Sequence, residues 1–452
     1  MRLFGTDGIR GRANVWPMTP EVALKVGMAV GYILSANKNS KRGIVVVGKD
    51  TRISGYVFEY AISSGLCAVG TDVYLLGPMP TPAISFITRD MKADAGIVIS
   101  ASHNPYYDNG IKVFNEDGLK LTDSLEAEIE RIVLENTIKP DPERIGRIRR
   151  VVDAIGRYIV YLKSTFPYSL SLEKVKIVLD CANGSTYKVA PIVFEELGGS
   201  VYPFGVNPNG YNINDGCGST YPEFARSRLI ELGADVAFSF DGDGDRCIAV
   251  DDKGVILDGD DIVTIISIYL KSKGLLEGNR VVSTIMAGMG LEIALRNYGI
   301  ELVRANVGDR YVFERMKEVG ANIGGEPSGH IILLDHTTTG DGIITALKLL
   351  TIMVDMDMSL SDLRKKWVLR FPKEERSVPV KDKIPIESTP LFQVLRKLEN
   401  EIKFYNGRIL VRYSGTEPKI RILVEGEDET KVKDIADVLE EGAKKYLGGC
   451  DG

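Results

Sequence analysis

The chain has 452 residues, more than one ordinary hydrophobic core can organise, and its 44% hydrophobic content is that of a soluble globular protein, so three or four domains are expected. A formal net charge of -6 without any basic block argues against nucleic acid as a partner, and five scattered cysteines argue against a disulfide framework and fit a reducing cytosol. The amino terminus lacks the apolar core of a signal peptide and the longest apolar stretch, 262–270, is far too short to span a bilayer, so a cytoplasmic chain with no membrane partner is expected.

The run Gly5-Thr6-Asp7-Gly8-Ile9-Arg10-Gly11 is glycine-rich without dinucleotide or Walker spacing, and Arg10 is a candidate phosphate contact. Residues 44–48 predict a strand, a helix-like segment follows, and 70–75 predict a second strand. A third strand, 96–100, runs into Ser100-Ala101-Ser102-His103-Asn104-Pro105. Its apolar, β-branched residues read as buried, and the small polar residues with Asn-Pro end it. Ser102 therefore stands at the carboxyl edge of a strand, where open α/β sheets bind ligands. The Gly-x-Ser-x-Gly elbow is absent, which disfavours an α/β-hydrolase triad. His103 adjoins Ser102, and adjacent side chains rarely face each other. Lys112 follows in Asn109-Gly110-Ile111-Lys112; near a metal and a phosphate its pKa is expected to fall enough for proton transfer.

The same order then recurs. Strands are expected at 177–180, 199–203 and 236–240, the last ending in Asp241-Gly242-Asp243-Gly244-Asp245-Arg246. Two Asp-Gly dipeptides would suit a hairpin. Three carboxylates at alternate positions, separated by glycines, can instead converge on one hard cation. Converging like charges need a counter-charge, and Arg246 adds a fixed donor fork. An EF-hand would need glycine where Arg246 stands. A serine nucleophile with a tri-aspartate Mg²⁺ site suggests phosphoryl transfer. Residues 262–270 read as a buried helix. The third round has strands at 281–284 and 299–304 and the loop Gly325-Glu326-Pro327-Ser328-Gly329-His330. The carboxylate of Glu326, the hydroxyl of Ser328 and the imidazole of His330 are what a pair of sugar hydroxyls needs.

From about residue 371 the pattern changes. Residues 408–412 and 420–424 predict a hairpin, 429–446 a charged amphipathic helix, and 381–390, with two prolines, an irregular segment. Arg412, Ser414, Gly415 and Thr416, with Arg421 across the hairpin, group two guanidinium forks, two hydroxyls and a flexible backbone, a phosphate cradle by composition. The expected fold is α/β. It has three similar α/β domains with mixed, mostly parallel sheets (1–150, 151–255 and 256–368). A smaller C-terminal α+β domain (369–452) follows, all around a central cleft.

Together these segments resemble the α-D-phosphohexomutase superfamily over essentially the whole chain, with the four loops in that family's order. Within it, stretches 4–11, 212–214, 217–220, 307–312 and 337–342 are most similar to members that act on glucosamine phosphates. The resemblance implies a phosphosugar mutase that converts glucosamine 6-phosphate to glucosamine 1-phosphate, with phosphoglucomutase or phosphomannomutase activity as the alternative. Phospho-Ser102 would give its phosphoryl group to the sugar, a 1,6-bisphosphate would form and turn end for end, and the other phosphate would return to Ser102. It implies one Mg²⁺ per site on Ser102, Asp241, Asp243 and Asp245. It implies Ser102, Lys112, Arg10, Arg246 and His330 as catalytic residues, and adds Gly308 and Asp309 to the substrate-binding set. The implied partner is a hexosamine or hexose monophosphate, and the expected state a monomer or homodimer. A metal-dependent phosphatase would not need a distant phosphate cradle, so Arg412 and Ser414 argue against it.

Overall fold

The computed structural model describes residues 3–5, 7–36, 42–140, 142–414 and 418–448. They fall into two compact units, Met1–Met286 with Gly299–Trp367, and Ala287–Tyr298 with Val368–Gly452.

The first unit holds three sheets. One is built from β1 (Ile9–Arg12), α1 (Pro20–Ala36), β2 (Ile44–Lys49), α2 (Gly55–Ala68), β3 (Asp72–Pro78), α3 (Thr81–Asp90), β4 (Ala95–Ile99), β5 (Asp108–Asn115), α4 (Asp123–Glu135) and β6 (Ile148–Arg150), in strand order β1-β5-β4-β2-β3-β6. The next follows α5 (Ala154–Ser164). It comprises β7 (Lys176–Asp180), α6 (Val189–Glu196), β8 (Ser200–Phe204), α7 (Glu223–Leu232), β9 (Val236–Phe240), β10 (Cys247–Asp251) and β11 (Ile256–Leu257), in order β11-β10-β9-β7-β8. The buried helix expected at 262–270 is α8 (Gly259–Ser272), whose first turn is closed by reciprocal bonds between Asp258 and Asp261. After it come β12 (Arg280–Thr284), α9 (Met289–Asn297, in the second unit), β13 (Glu301–Ala305), α10 (Asp309–Val319), β14 (Ile323–Gly325), β15 (Ile331–Leu333), α11 (Gly342–Met356) and α12 (Leu360–Trp367), in strand order β13-β12-β14-β15.

The three sheets share one plan: β3-β2-β4-β5, β8-β7-β9-β10 and β13-β12-β14-β15. In each, the first three strands in sequence are parallel and the fourth returns antiparallel to the third. A parallel link needs a long crossover, whereas the antiparallel return needs only a loop. That loop leaves the carboxyl end of the third strand at 100–107, 241–246 and 326–330. The strands beneath are apolar because helices cover the sheet: Val45, Val47, Ile97 and Ile99 pack with Phe58, Ile62 and Leu66 of α2 in one core. Each such side chain stabilises by about 1.5–3 kcal/mol through burial. The loops thus rest on a rigid base and can be wholly polar.

In the second unit, β16 (Lys373–Pro379), α13 (Pro390–Ile402), β17 (Arg408–Tyr413), β18 (Lys419–Glu425) and α14 (Glu429–Leu447) form an antiparallel sheet, β16-β18-β17, over a core of Leu391, Leu395, Ile422, Val424, Ile435 and Leu439. The expected hairpin and last helix are present; β16 and α13 are additional. Among the described residues, no helix is long and apolar enough to cross a membrane.

Candidate active site

Ser102 is fully buried and adopts a left-handed backbone, φ +53°. Its Oγ donates to Asp241 Oδ2 at 2.6 Å, and Nδ1 of His103 lies 3.2 Å away. The expectation that neighbouring side chains would not face each other fails here, because the left-handed turn at Ser102 brings the two groups to one side. Burial, with Arg246 and Arg10 nearby, pushes the His103 pKa down to about 3, so this imidazole is neutral at neutral pH.

The aspartate loop joins β9 to β10, with Phe240 opposite Cys247, so it is both a hairpin connection and a carboxylate cluster. One oxygen from each of Asp241, Asp243 and Asp245 lies within 4.8 Å of the others, and all three side chains are buried. The glycines between them are required by space: a Cβ on Gly242 would sit 2.6 Å from the Ser102 carbonyl. Thr81, first residue of α3, binds Asp243 twice, from its amide to the Asp243 carbonyl at 2.8 Å and from its hydroxyl to Oδ2 at 2.7 Å. Burial and the carboxylates of Asp245 and Asp243 hold the Asp241 pKa well above the ordinary carboxylate range. Oδ1 of Asp243 and Oδ1 of Asp245 are buried without a hydrogen-bond partner among the described residues. Unsatisfied, crowded carboxylate oxygens suit a divalent cation, so this group could hold a metal.

Lys112 sits on β5, opposite Val98 of β4, with its side chain buried. Its Nζ lies 3.0 Å from Asp243, 3.4 Å from Asp245 and 3.3 Å from Asp7. Burial alone would lower its pKa, but these three carboxylates outweigh that and raise it. Beside these carboxylates alone, Lys112 is held as an ammonium. The same pairing works in reverse on Asp243, where Lys112, Thr81 and Arg10 overcome burial and hold the carboxyl below its usual range. Arg10 pairs with Asp7.

The third loop is tied to the second by a bridge between Arg246 and His330 and by the Cys247 amide donating to Gly329. Nε2 of His330 accepts from the Gly340 amide at 3.3 Å and lies 3.5 Å from Asp309. Glu326 accepts from the Gly308 amide at 3.1 Å, and burial raises its pKa. A cavity of about 380 Å³ opens here, lined among others by Arg10, Asp245, Arg246, Gly308, Asp309 and Glu326, with Ser328 and His330 beside them. The first unit thus gathers Arg10, Ser102, Lys112, the three aspartates, Arg246, Gly308, Asp309, Glu326, Ser328 and His330.

Lys120 and Asp7 carry no signal in sequence, yet Lys120 pairs with both Asp7 and Asp309. Burial pushes both carboxyls up, but the lysines around them prevail and hold them low. In the second unit, Arg412 and Arg421 are register partners across β17 and β18, and the Ser414 amide donates to Lys419 at 2.8 Å. Nε of Arg412 has no hydrogen-bond partner among the described residues. Gly415 and Thr416 lie outside the described residues.

Four family models match the chain. They are the phosphoglucomutase/phosphomannomutase alpha/beta/alpha domains I (residues 1–139), II (156–254) and III (258–371), and the C-terminal domain (377–442). The chain is 51% identical over 450 residues to the phosphoglucosamine mutase of Nitratidesulfovibrio vulgaris (strain Miyazaki F) and 50% identical over 450 residues to that of Lawsonia intracellularis; each match covers 99% of both chains. Its fold is similar to a phosphoglucomutase/phosphomannomutase family protein from Burkholderia thailandensis (TM-score 0.81, 22% identity, 98% of this chain and 97% of the other). It is also similar to a putative phosphomannomutase from Thermus thermophilus (TM-score 0.77, 25% identity, 98% of each). The chain belongs to the phosphoglucomutase/phosphomannomutase family.

Proposed function

We propose that this chain interconverts glucosamine 6-phosphate and glucosamine 1-phosphate through a phosphorylated Ser102 and a 1,6-bisphosphate intermediate. The observation that carries the reading is Ser102 Oγ, 2.6 Å from Asp241 and beside a cluster of three buried carboxylates, two with an oxygen that takes no hydrogen bond among the described residues. The sugar assignment rests on relatives near 50% identity over the full chain that bear the name phosphoglucosamine mutase.

In the first half-reaction the sugar's 1-hydroxyl oxygen bonds to the phosphorus of phospho-Ser102 as the bond from phosphorus to Oγ breaks. The hydroxyl gives up its proton and Oγ gains one. The bisphosphate reorients, Oγ gives up its proton and bonds to the phosphorus at position 6, and the bond from that phosphorus to the sugar's 6-oxygen breaks as the 6-oxygen gains a proton, restoring phosphoserine and releasing glucosamine 1-phosphate. Asp241, Asp243 and Asp245, with the serine phosphate, would hold Mg²⁺, which supplies charge neutralisation at the phosphoryl oxygens. Lys112, kept protonated, and Arg10 add positive charge where the loosening phosphoryl group spreads its negative charge. His103, neutral and 3.2 Å from Oγ, is within reach of the proton that Oγ carries. Glu326, Ser328, His330, Gly308 and Asp309 are assigned to the sugar. Arg412, Ser414 and Arg421, with Gly415 and Thr416, are assigned to the phosphate that is not reacting. The proposal includes a cytoplasmic setting, in keeping with the free thiols of Cys67, Cys181, Cys217 and Cys247.

The test compares kcat/KM for glucosamine, glucose and mannose phosphates, each with its matching bisphosphate as activator. Glucosamine phosphate should be preferred, with residual glucose activity, because a hydroxyl can satisfy the acceptor that meets an amine. A clear preference for mannose or glucose phosphate would reassign the substrate.

A further inference from the structure

Arg52 has no place in the mechanism above, yet it is fully buried directly beneath the nucleophile loop. Each of its five N–H groups meets an acceptor. Nε donates to Asp50 Oδ2 at 2.8 Å. Nη1 donates to the carbonyls of Pro105 and Asp108. Nη2 donates to the carbonyls of Ser102 at 2.9 Å and Asn104 at 2.7 Å. Four of the guanidinium's donors therefore go to the backbone of 102–108, the nucleophile loop and the first residue of β5. Asp50 completes the arrangement from the other side: Ser100 Oγ donates to its carboxylate and accepts from the Ser102 amide at 2.9 Å.

Asn214, from the module that carries the aspartates, repeats the grip. Its Nδ2 donates to the same two carbonyls, Ser102 at 2.9 Å and Asn104 at 3.0 Å. The Ser102 and Asn104 carbonyls thus each receive two donors, one from each module. Between them Ser102 holds a left-handed backbone, φ +53°, which is unfavourable for an L-residue and persists only when its surroundings over-determine it. Packing alone does not call for an arginine here, since buried ion pairs are commonly replaced by apolar residues without loss. Four inward-facing carbonyls do call for a planar donor fork.

We propose that Arg52 and Asn214 are positioning residues that clamp the backbone of Ser102 from two modules and so fix where Oγ points. Among the described contacts neither bonds to Asp241, Asp243 or Asp245; they act through the Ser102 and Asn104 carbonyls. The inference rests on the phosphoserine reading above. A displacement of the order of 1 Å can cost about 100-fold in rate, while the sugar loop at 326–330 makes no bond to either residue among the described contacts.

The test is single-turnover kinetics on the full chain. Wild type, Asn214→Ala and Arg52→Lys are phosphorylated with glucose 1,6-bisphosphate, freed of excess, and mixed with glucosamine 6-phosphate. The amplitude of phosphoserine lost counts folded enzyme; the rate constant reads geometry. Asn214→Ala should keep the wild-type amplitude, lose about 10- to 100-fold in rate constant, and leave KM within about threefold. Arg52→Lys, which keeps the charge but not the fork, should lose at least as much. If Arg52→Lys does not fold, Asn214→Ala decides alone. A rate constant for Asn214→Ala within twofold of wild type, or a loss confined to amplitude, overturns the clamp. A wild-type phosphoenzyme that the sugar phosphate fails to discharge overturns the proposed function, and the clamp with it.

Discussion

Lys112→Met keeps the length of the side chain and removes its charge from among three carboxylates. The ammonium is 2% exposed and lies 3.0 Å from Asp243, 3.4 Å from Asp245 and 3.3 Å from Asp7. At an effective dielectric constant near 20, one charge pair at about 4 Å attracts by about 4 kcal/mol. Desolvation consumes much of that, and removing one partner of a buried pair costs about 3–5 kcal/mol, because the other is left uncompensated. Three carboxylates share this amine, so the upper end of that range is expected at pH 8 without Mg²⁺. Both tryptophans, Trp16 and Trp367, lie in the first unit, so urea unfolding followed by tryptophan fluorescence reads the unit that contains the site. Mg²⁺ should stabilise the variant more than the wild type, since the cation no longer competes with an ammonium for Asp243. A Mg²⁺ concentration of about 100 Kd restores about 2.7 kcal/mol. Turnover should nevertheless fall. A loss below about 1 kcal/mol, or equal stabilisation of both proteins by Mg²⁺, would refute the reasoning.

Gly242→Ala places a methyl 2.6 Å from the Ser102 carbonyl and 2.8 Å from Asn214 Nδ2, so thermal unfolding should show a loss of about 1–3 kcal/mol, with turnover reduced; wild-type values for both would mean the loops relax freely. Asp180, buried at the end of β7, has its pKa raised to about 6 by burial against bonds from the Gly218 and Ala182 amides. The folded state therefore holds this proton more tightly than the unfolded chain, and the stability it contributes, complete below about pH 4, is lost as pH rises through about 6. Relative to Asp180→Asn, wild-type stability should drop by up to about 3 kcal/mol between pH 4 and 7; a difference that is flat with pH counts against the assignment. Arg412→Ala should raise KM and slow turnover together, because binding energy at the distant phosphate also orients the reacting end; if neither parameter moves, that loop does not bind phosphate.

The strands that end in functional loops were legible because each is an apolar run stopped abruptly by small or charged residues: Ile97-Val98-Ile99 before Ser100, and Phe238-Ser239-Phe240 before Asp241. The helix α13 carries an equally legible period, with Leu391, Leu395, Leu398 and Ile402 buried on one face. Strand β16, Lys373-Glu374-Glu375-Arg376, hides because it is a charged edge strand with few inward side chains. Single polar residues were the harder class. Arg52 reads as a surface charge, and its burial follows only from carbonyls that fold beneath it. Asp7, Lys120 and Thr81 join the site through partners far away in sequence, which no spacing rule reaches. The rise in the Lys112 pKa depends on three carboxylates from two segments converging on one amine. Neighbouring side chains diverge on ordinary backbone, but Ser102 is left-handed, and this brings His103 beside Oγ.

The central claim is that Ser102 carries the phosphoryl group. The most direct measurement is intact-mass and peptide-mapping analysis of purified protein before and after glucose 1,6-bisphosphate, and again after glucosamine 6-phosphate is added to the isolated phosphoenzyme. One phosphoryl group is expected, on Ser102, lost to the sugar with formation of a 1,6-bisphosphate, and neither phosphorylation nor isomerisation is expected in Ser102→Ala. Phosphate on another residue, or near-normal turnover of Ser102→Ala, would contradict it.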